Sequence, residues 1–318
     1  MAHQWMELEI ASKEMEATDI VSLVLVDPEG APLPPFSAGS HVDLEIKDGL
    51  IRQYSLCNAP LEHDRYEIAV LRDPDSRGGS IAVHEKLHVG QRVRISEPRN
   101  LFPLEPSEDK AFLLAGGIGV TPLLCMAERL DHLKAPFELH YCTRSKDRTA
   151  FYDRIKQSSY ADNVAFHFDD GDSAQRFKPA EIFTRADADS HVYVCGPGGF
   201  IDWVFSAAKE AGFPLERLHR EYFSVSDDAS KGEDGAFEVQ IASTGEVLQV
   251  PADRSVVEVL HEHGVDITVS CEQGVCGTCI TRVLEGQPDH RDMLALDGDE
   301  EFAPCCSRSL SPRLVLDL

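Results

Sequence analysis

Five cysteines crowd into the last fifty residues of the chain, at Cys271, Cys276, Cys279, Cys305 and Cys306, and the first three follow the spacing C-x4-C-x2-C. Three thiolates so spaced, with a fourth from downstream, are the plant-type ligand set of a 2Fe-2S cluster. The spacing has a physical reason. One loop must wrap an edge of the cluster so that its sulfurs converge, and Gly274 and Gly277 let the backbone come close enough to donate hydrogen bonds to them. A zinc site would pair such short spacings with a second close pair of cysteines or histidines, and none follows. Spacing alone admits either Cys305 or Cys306 as the fourth ligand. The other four cysteines, Cys57, Cys125, Cys142 and Cys195, are scattered singly, and in a chain without a secretion-like start such thiols argue against a disulfide framework.

Three other segments could hold phosphates or flat rings. Arg52-Gln53-Tyr54-Ser55-Leu56 offers a cation for a phosphate, an aromatic to pack on a ring and a hydroxyl for a hydrogen-bonding edge. Ser76-Arg77-Gly78-Gly79-Ser80 opens a helix expected to run through Leu87, where free backbone N–H groups favour an anion. Leu113 to Pro122 reads as strand, glycine turn (Gly116, Gly117, Gly119) and helix, with Thr121 as N-cap and Pro122 in the first helical position. That turn suits a pyrophosphate, although it lacks the third glycine of the Rossmann fingerprint. Farther on, His191 to Gly198 is an apolar strand ending in Cys195-Gly196-Pro197, where α/β sheets place ligands. Arg144, Lys146 and Arg148 could attract a 2'-phosphate, whereas Asp147 could accept from bare ribose hydroxyls, so the residues leave NADH or NADPH open.

The elements that must carry these segments change texture along the chain. Short alternating stretches at Ser22 to Val26, His41 to Ile46, Tyr66 to Leu71 and Arg92 to Ile95, broken by Gly and Pro, read as an antiparallel β-barrel over residues 1–105. From Ala111, strands alternate with helices, which implies a parallel α/β sheet over 106–223. Residues 224–235 carry no large apolar side chain but Val225 and read as a linker. Strands at Phe237 to Ile241 and Val247 to Val250, then a helix over Ser255 to His263 with Val256, Val257, Val259 and Leu260 facing a core, begin a third, α+β unit over 236–318.

Composition narrows the partners. The 318 residues carry 30 Lys and Arg against 55 Asp and Glu, a net charge of -25, which opposes nucleic acid and anionic lipid. No run of eighteen apolar residues is long enough to cross a bilayer, so a cytoplasmic protein is expected, acting as a monomer.

Ser-Cys-Glu-Gln-Gly-Val-Cys-Gly-Thr-Cys at 270–279, Asp-His-Arg-Asp at 289–292, Cys-Cys-Ser-Arg at 305–308 and the terminal Leu-Val-Leu-Asp-Leu resemble the phthalate dioxygenase reductase family, to which the vanillate O-demethylase reductases belong. The resemblance runs over essentially the whole chain. It implies a flavin barrel, a nucleotide domain and a β-grasp ferredoxin domain, in that order. It selects Cys305 as fourth ligand and leaves His290 a loop hydrogen-bonding residue. It also implies FMN rather than FAD, bound by Arg52, Tyr54, Ser55, Gly78, Gly79 and Ser80, with Val70, Leu71 and Arg72 lining the ring. For NADH it implies the Gly116-Gly117-Gly119-Thr121 turn and Cys195-Gly196-Pro197, with Cys195 beside the nicotinamide and Phe223 gating it from Glu221-Tyr222-Phe223.

The chemistry expected from this order is hydride transfer to the flavin, then single electrons to the cluster and on to a separate terminal oxygenase of the Rieske type, with no side chain needed as acid or base. Residues 236–318 hold 5 Lys and Arg against 15 Asp and Glu, so a basic face is expected on the partner. Two other readings stand beside this one. One is an electron donor to a haem monooxygenase or a stand-alone NADH diaphorase; the other is a metal-binding interaction protein with decayed cofactor pockets.

Overall fold

The computed structural model describes residues 5–47, 49–74, 78–105, 109–187, 189–223, 235–294, 296 and 298–318. Ser76, Arg77 and most of the expected linker, 224–234, lie outside them. The chain divides into two compact units, residues 1–223 and 224–318, and each is described by itself.

The first unit opens with an antiparallel sheet of seven strands: β1 (Trp5–Ala17), β2 (Ile20–Val26), β3 (Ser40–Lys47), β4 (Leu50–Ser55), β5 (Tyr66–Leu71), β6 (Arg92–Ser96) and β7 (Arg99–Asn100). Their order is β4-β3-β6-β1-β2-β5, with β7 added on β3, and a lone bridge joins Leu56, just past β4, to Ile68 in β5. Helix α1 (Gly79–Lys86) follows β5. One face of this sheet buries Leu8, Leu23, Val42, Leu44, Tyr66 and Ile95 around Val83 of α1.

The second sheet is parallel: β8 (Ala111–Gly116), β9 (Phe137–Thr143), β10 (Val164–Phe168), β11 (His191–Cys195) and β12 (Leu218–Glu221), connected through α2 (Val120–Leu133), α3 (Tyr152–Gln157), α4 (Pro179–Phe183) and α5 (Gly198–Glu210). Its order is β10-β9-β8-β11-β12. Every residue of β8 and β11 is buried, the continuous apolar run of a strand covered on both faces.

The two sheets share one core: Ile20, Cys57 and Ala69 of the first pack with Leu113, Leu124, Cys125 and Phe151 of the second. A charged clamp crosses the same joint. Arg154 of α3 donates to Glu67 of β5 at 2.8 Å and pairs with Glu128 of α2 at 3.6 Å, and Tyr160 donates to Glu128 at 3.0 Å.

In the second unit β13 (Phe237–Ile241), β14 (Val247–Val250), β15 (Thr281–Glu285), β17 (Glu301–Phe302) and β19 (Arg313–Leu316) make a mixed sheet in the order β14-β13-β19-β15-β17, and β16 (Pro288–Asp289) pairs with β18 (Arg308–Ser309). Buried and half-buried residues alternate along β13, the pattern of a strand with one face in the core. Helix α6 (Val256–Glu262) covers that face with Val256, Val259 and Leu260. Ser255 and Glu258 cap it reciprocally, so the helix starts one residue after the expected boundary.

Glu67 keeps only 11% of its side chain exposed, so removing its partner strands a carboxylate in the joint. Arg154→Ala is expected to lower the stability of the first unit by about 3 kcal/mol. Denaturant unfolding read by probes in each unit would check this, with the second unit's transition unmoved.

Candidate functional site

The loop between α6 and β15 buries Cys271, Cys276 and Cys279, and the segment between β17 and β18 adds the buried Cys305 and the half-buried Cys306. Cys271 lies within hydrogen-bonding reach of Cys276, and Cys305 within reach of both Cys279 and its neighbour Cys306. The shared proton raises Cys271 and lowers Cys276. Backbone N–H groups face the sulfurs from all around the loop. Gln273 (3.3 Å) and Val275 donate to Cys271, Thr278 to Cys276, Cys305 to Cys279 and Gly274 to Cys305. Such donors stabilise a thiolate and tune what it binds. Among the described residues no three His, Cys, Asp or Glu side chains are arranged to hold one metal ion. A two-iron cluster does not require that, since each iron takes two of the four thiolates.

A latch behind the loop fixes its shape. Gly274 has φ +69, and a β-carbon there would lie 2.4 Å from Cys306 Sγ and 2.9 Å from Asp292 Cα. Asp292 accepts from Ser307 Oγ at 2.9 Å, and Ser307 Oγ accepts from the Arg291 N–H at 3.0 Å. Arg308 donates to the carbonyls of Gly235, Pro251 and Arg254, each at 2.9 Å. The Asp-His-Arg-Asp and Cys-Cys-Ser-Arg segments are thus interlocked. His290 is held by the Gly298 carbonyl at 3.1 Å.

In the first unit the sheet order makes β8 and β11 neighbours whose connections leave in opposite directions, which opens a crevice at their carboxyl ends. Two glycine turns meet there. A β-carbon on Gly119 would lie 2.3 Å from the Cys195 carbonyl oxygen, one on Gly196 would lie 2.9 Å from Gly116 Cα, and one on Gly116 would touch Pro197 at 3.0 Å. Thr121 is not the N-cap that the sequence predicts. A 3-10 turn over Gly117–Gly119 runs straight into α2, which starts at Val120, so Thr121 is already helical and its hydroxyl donates to the Ile118 carbonyl at 3.1 Å. Pro122 is accordingly the third helical residue, not the first.

Beyond β9, Asp147 accepts from the Ser145 and Thr18 hydroxyls, Arg148 pairs with Asp19 at 3.4 Å, and Lys146 lies 4.4 Å over the Tyr152 ring. Arg144 is exposed.

Ser55 ends β4 and donates to Glu221 at 3.3 Å. Glu221 ends β12 opposite Cys195 in register, so a hydroxyl, a carboxyl and a thiol from three elements converge. Burial pushes the Glu221 carboxyl up to about 8 and the Cys195 thiol well above its usual value. Arg52 lies against Gly79, where a β-carbon would meet its Cγ at 2.7 Å, and Tyr54 is a phenol whose titration burial pushes upward. Gly78, with φ +90, starts α1 without a side-chain cap, and Ser80 Oγ accepts from the Asp73 N–H at 3.1 Å. Val70 is buried with its carbonyl 2.9 Å from His84 Nε2, Leu71 is half-buried, and Arg72 pairs with Glu85 at 2.9 Å. Phe223 is 38% exposed, which rules out a core role. Glu221 stood in the sequence only as part of a motif; its meeting with Ser55, 166 residues away, has no local signature.

Residues 239–310 match the 2Fe-2S iron-sulfur cluster binding domain family. The chain is 54% identical over 316 residues to a vanillate O-demethylase oxidoreductase of a Pseudomonas species, covering 98% of this chain and 99% of that one. Its structure matches that of phthalate dioxygenase reductase, described as a modular structure for electron transfer from pyridine nucleotides to 2Fe-2S, with TM-score 0.77 and 40% identity over 99% of this chain and 98% of that one. It also matches an intact type IV self-sufficient cytochrome P450 monooxygenase, TM-score 0.83 and 34% identity, over 98% of this chain but only 41% of that one. Likeness over the full length, together with a cysteine loop built for two irons, means that the chain belongs to the family of the phthalate dioxygenase and vanillate O-demethylase reductases.

Proposed function

We propose that this chain is the reductase component of a Rieske-type aromatic oxygenase system, moving electrons from NADH through FMN and a 2Fe-2S cluster to a terminal oxygenase. The observation that carries the reading is the gathering of four buried thiols, Cys271 beside Cys276 and Cys279 beside Cys305, among backbone N–H groups. We assign residues 1–105 to a flavin-binding β-barrel, 106–223 to NADH, 224–235 to a linker and 236–318 to a β-grasp ferredoxin domain. Cys271 and Cys276 would hold one iron, Cys279 and Cys305 the other; Cys306, which no described bond links to Cys279, would remain a neighbour.

The first unit fits a phosphorylated flavin. Gly79 leaves room for Arg52 across the first turn of α1, so a guanidinium and the uncapped N–H groups of that turn face the same place. Tyr54 supplies a flat, half-buried ring beside them, with Val70 and Leu71 at the end of β5 and Arg72 just past it. The crevice of Gly116, Gly117, Gly119, Cys195, Gly196 and Pro197 brings backbone within reach of a pyrophosphate, and Phe223 stays free to cover the nicotinamide side. A flavin bound here supplies one conversion, taking two electrons together and releasing them singly. The protein's part is to orient Ser55 and Cys195 about the half-buried Glu221 carboxyl.

The cytochrome P450 likeness favours a second reading, an electron donor to a haem monooxygenase. Turnover with each class of acceptor discriminates the two.

Assembled protein is expected to contain iron and acid-labile sulfide, and NADH should bleach its visible spectrum; a colourless or zinc-loaded protein would overturn the reading. Cys276→Ser should abolish electron delivery to the partner and leave NADH-dependent bleaching of the flavin largely intact, as followed by stopped-flow absorbance. The acidic balance of residues 236–318 predicts that turnover with the partner slows as salt rises, since screening shortens to about 8 Å at physiological ionic strength. Glu221 predicts a pH effect as well. Its carboxyl is raised from 4.5 to about 8, so between those values the folded state keeps a proton that the unfolded state has lost, and stability of the first unit falls as pH rises. Glu221→Gln should flatten that fall, and thermal unfolding across the same pH range would show it.

A further inference from the structure

A buried polar row lies beside Ser55 and has no part in the functions assigned so far. Strands β3 and β4 pair with His41 opposite Ser55 and Asp43 opposite Gln53, and β3 pairs with β7 so that His41 stands opposite Arg99. Directly opposed residues project to one face with their β-carbons about 5 Å apart. The alternate residues Val42 and Leu44 face the apolar core, so His41, Asp43, Gln53, Ser55 and Arg99 share the other face. His41 is 1% exposed, and both of its ring nitrogens lack a hydrogen-bond partner among the described residues, as does Gln53 Nε2. At one end of the row Ser55 meets Glu221 at 3.3 Å. At the other, Arg99 pairs with the buried Asp43 and keeps 25% of its side chain in solvent.

Buried polar atoms with no protein partner are satisfied by ordered water, two to four bonds to each molecule. An imidazole with both nitrogens so placed can pass a proton by accepting on one and releasing from the other. Burial first, and the Arg99 cation second, pull His41 down to about 3, so the resting ring is neutral.

The balance of the proposed reaction, on which this inference rests, requires such a route. A hydride carries two electrons and one proton; the two electrons leave singly through the cluster to the acceptor, which leaves NADH → NAD⁺ + H⁺ + 2e⁻. One proton per turnover must therefore travel from the flavin site to solvent. We propose that it leaves by this row, from Ser55 and Glu221 through His41 and its waters to the Arg99–Asp43 pair, with His41 as a positioning and relay residue that does not itself touch the flavin.

The test uses the holoenzyme, NADH and cytochrome c as one-electron acceptor. In protein labelled with ¹⁵N-histidine, oxidised and without NADH, His41 is expected to be neutral with magnetisation transfer between its ring N–H and water; a ring N–H shielded from water overturns the proposal. In stopped flow with a pH-indicator dye, His41→Phe should leave reduction of the flavin by NADH within about twofold, yet slow proton appearance about tenfold and raise the solvent isotope effect on cytochrome c reduction above unity. His41→Gln, which keeps the row polar, should recover part of that loss. Should His41→Phe fail to retain flavin, His41→Gln carries the test: proton appearance slowed more than flavin reduction supports the route, and equal slowing of both overturns it. Proton release indifferent to residue 41 in a protein that NADH bleaches defeats the route alone, whereas wild-type protein that NADH does not bleach defeats the reductase reading itself.

Discussion

A β-carbon on Gly119 would sit 2.3 Å from the carbonyl oxygen of Cys195, one on Gly79 would sit 2.7 Å from Arg52, and one on Gly274 would sit 2.4 Å from Cys306. At each place a stretch of backbone meets another backbone, an arginine side chain or a thiol more closely than a β-carbon permits. Each lies where the proposed chemistry asks N–H groups to surround an electron-rich ligand: a pyrophosphate, a phosphate, a set of thiolates. Main-chain N–H groups serve this purpose because they are neutral dipoles that can crowd together without the repulsion that several lysines would suffer. For a chain of net charge -25 that matters, since anions are held by local geometry against an unfavourable overall field.

The same economy governs the buried charges. Arg154 binds Glu67 and Glu128 across the joint between the two sheets of the first unit, so the sheet carrying Arg52, Tyr54 and Ser55 cannot shift against the sheet carrying Cys195 and Glu221 without stranding a carboxylate. Hydride transfer needs its partners held to about 3–3.5 Å. An apolar joint could slide at little cost, whereas a guanidinium paired with two carboxylates resists it, and the shared core of Ile20, Ala69, Leu113 and Leu124 supplies the bulk of the adhesion.

What the sequence revealed divides along local and non-local physics. Strands β13 and β14 were legible to the residue because half-buried strands alternate, and β8 and β11 because covered parallel strands do not. The Cys271 loop was legible because its three cysteines lie within nine residues. Thr121 misled because Ser, Thr and Asp at a helix start carry a capping signal, and nothing local shows that a 3-10 turn has already begun the helix at Val120. His41, Arg154 and Glu221 were silent for one reason: each acquires its role from burial against an element far along the chain, so type and spacing alone leave them ordinary polar residues on alternating strands or a helix. Cys306 lies between these cases, since adjacency to Cys305 left a choice that spacing could not make; in the structure Cys305 reaches Cys279 while Cys306 packs against Gly274.

The pattern of likeness follows from where this chain's chemistry ends. A carrier that delivers single electrons never meets the compound its partner oxidises, so nothing in its interior needs to change with that compound. The match to about two fifths of a self-sufficient P450 monooxygenase and to the whole of phthalate dioxygenase reductase fits that logic, for the same body is found fused to one catalytic centre and standing apart from another. Partner choice then falls to whatever surface the cluster loop presents. Glu272 and Ile280 are exposed beside the buried thiols, while the shape of the loop is set from behind by Asp292, Ser307 and Arg308.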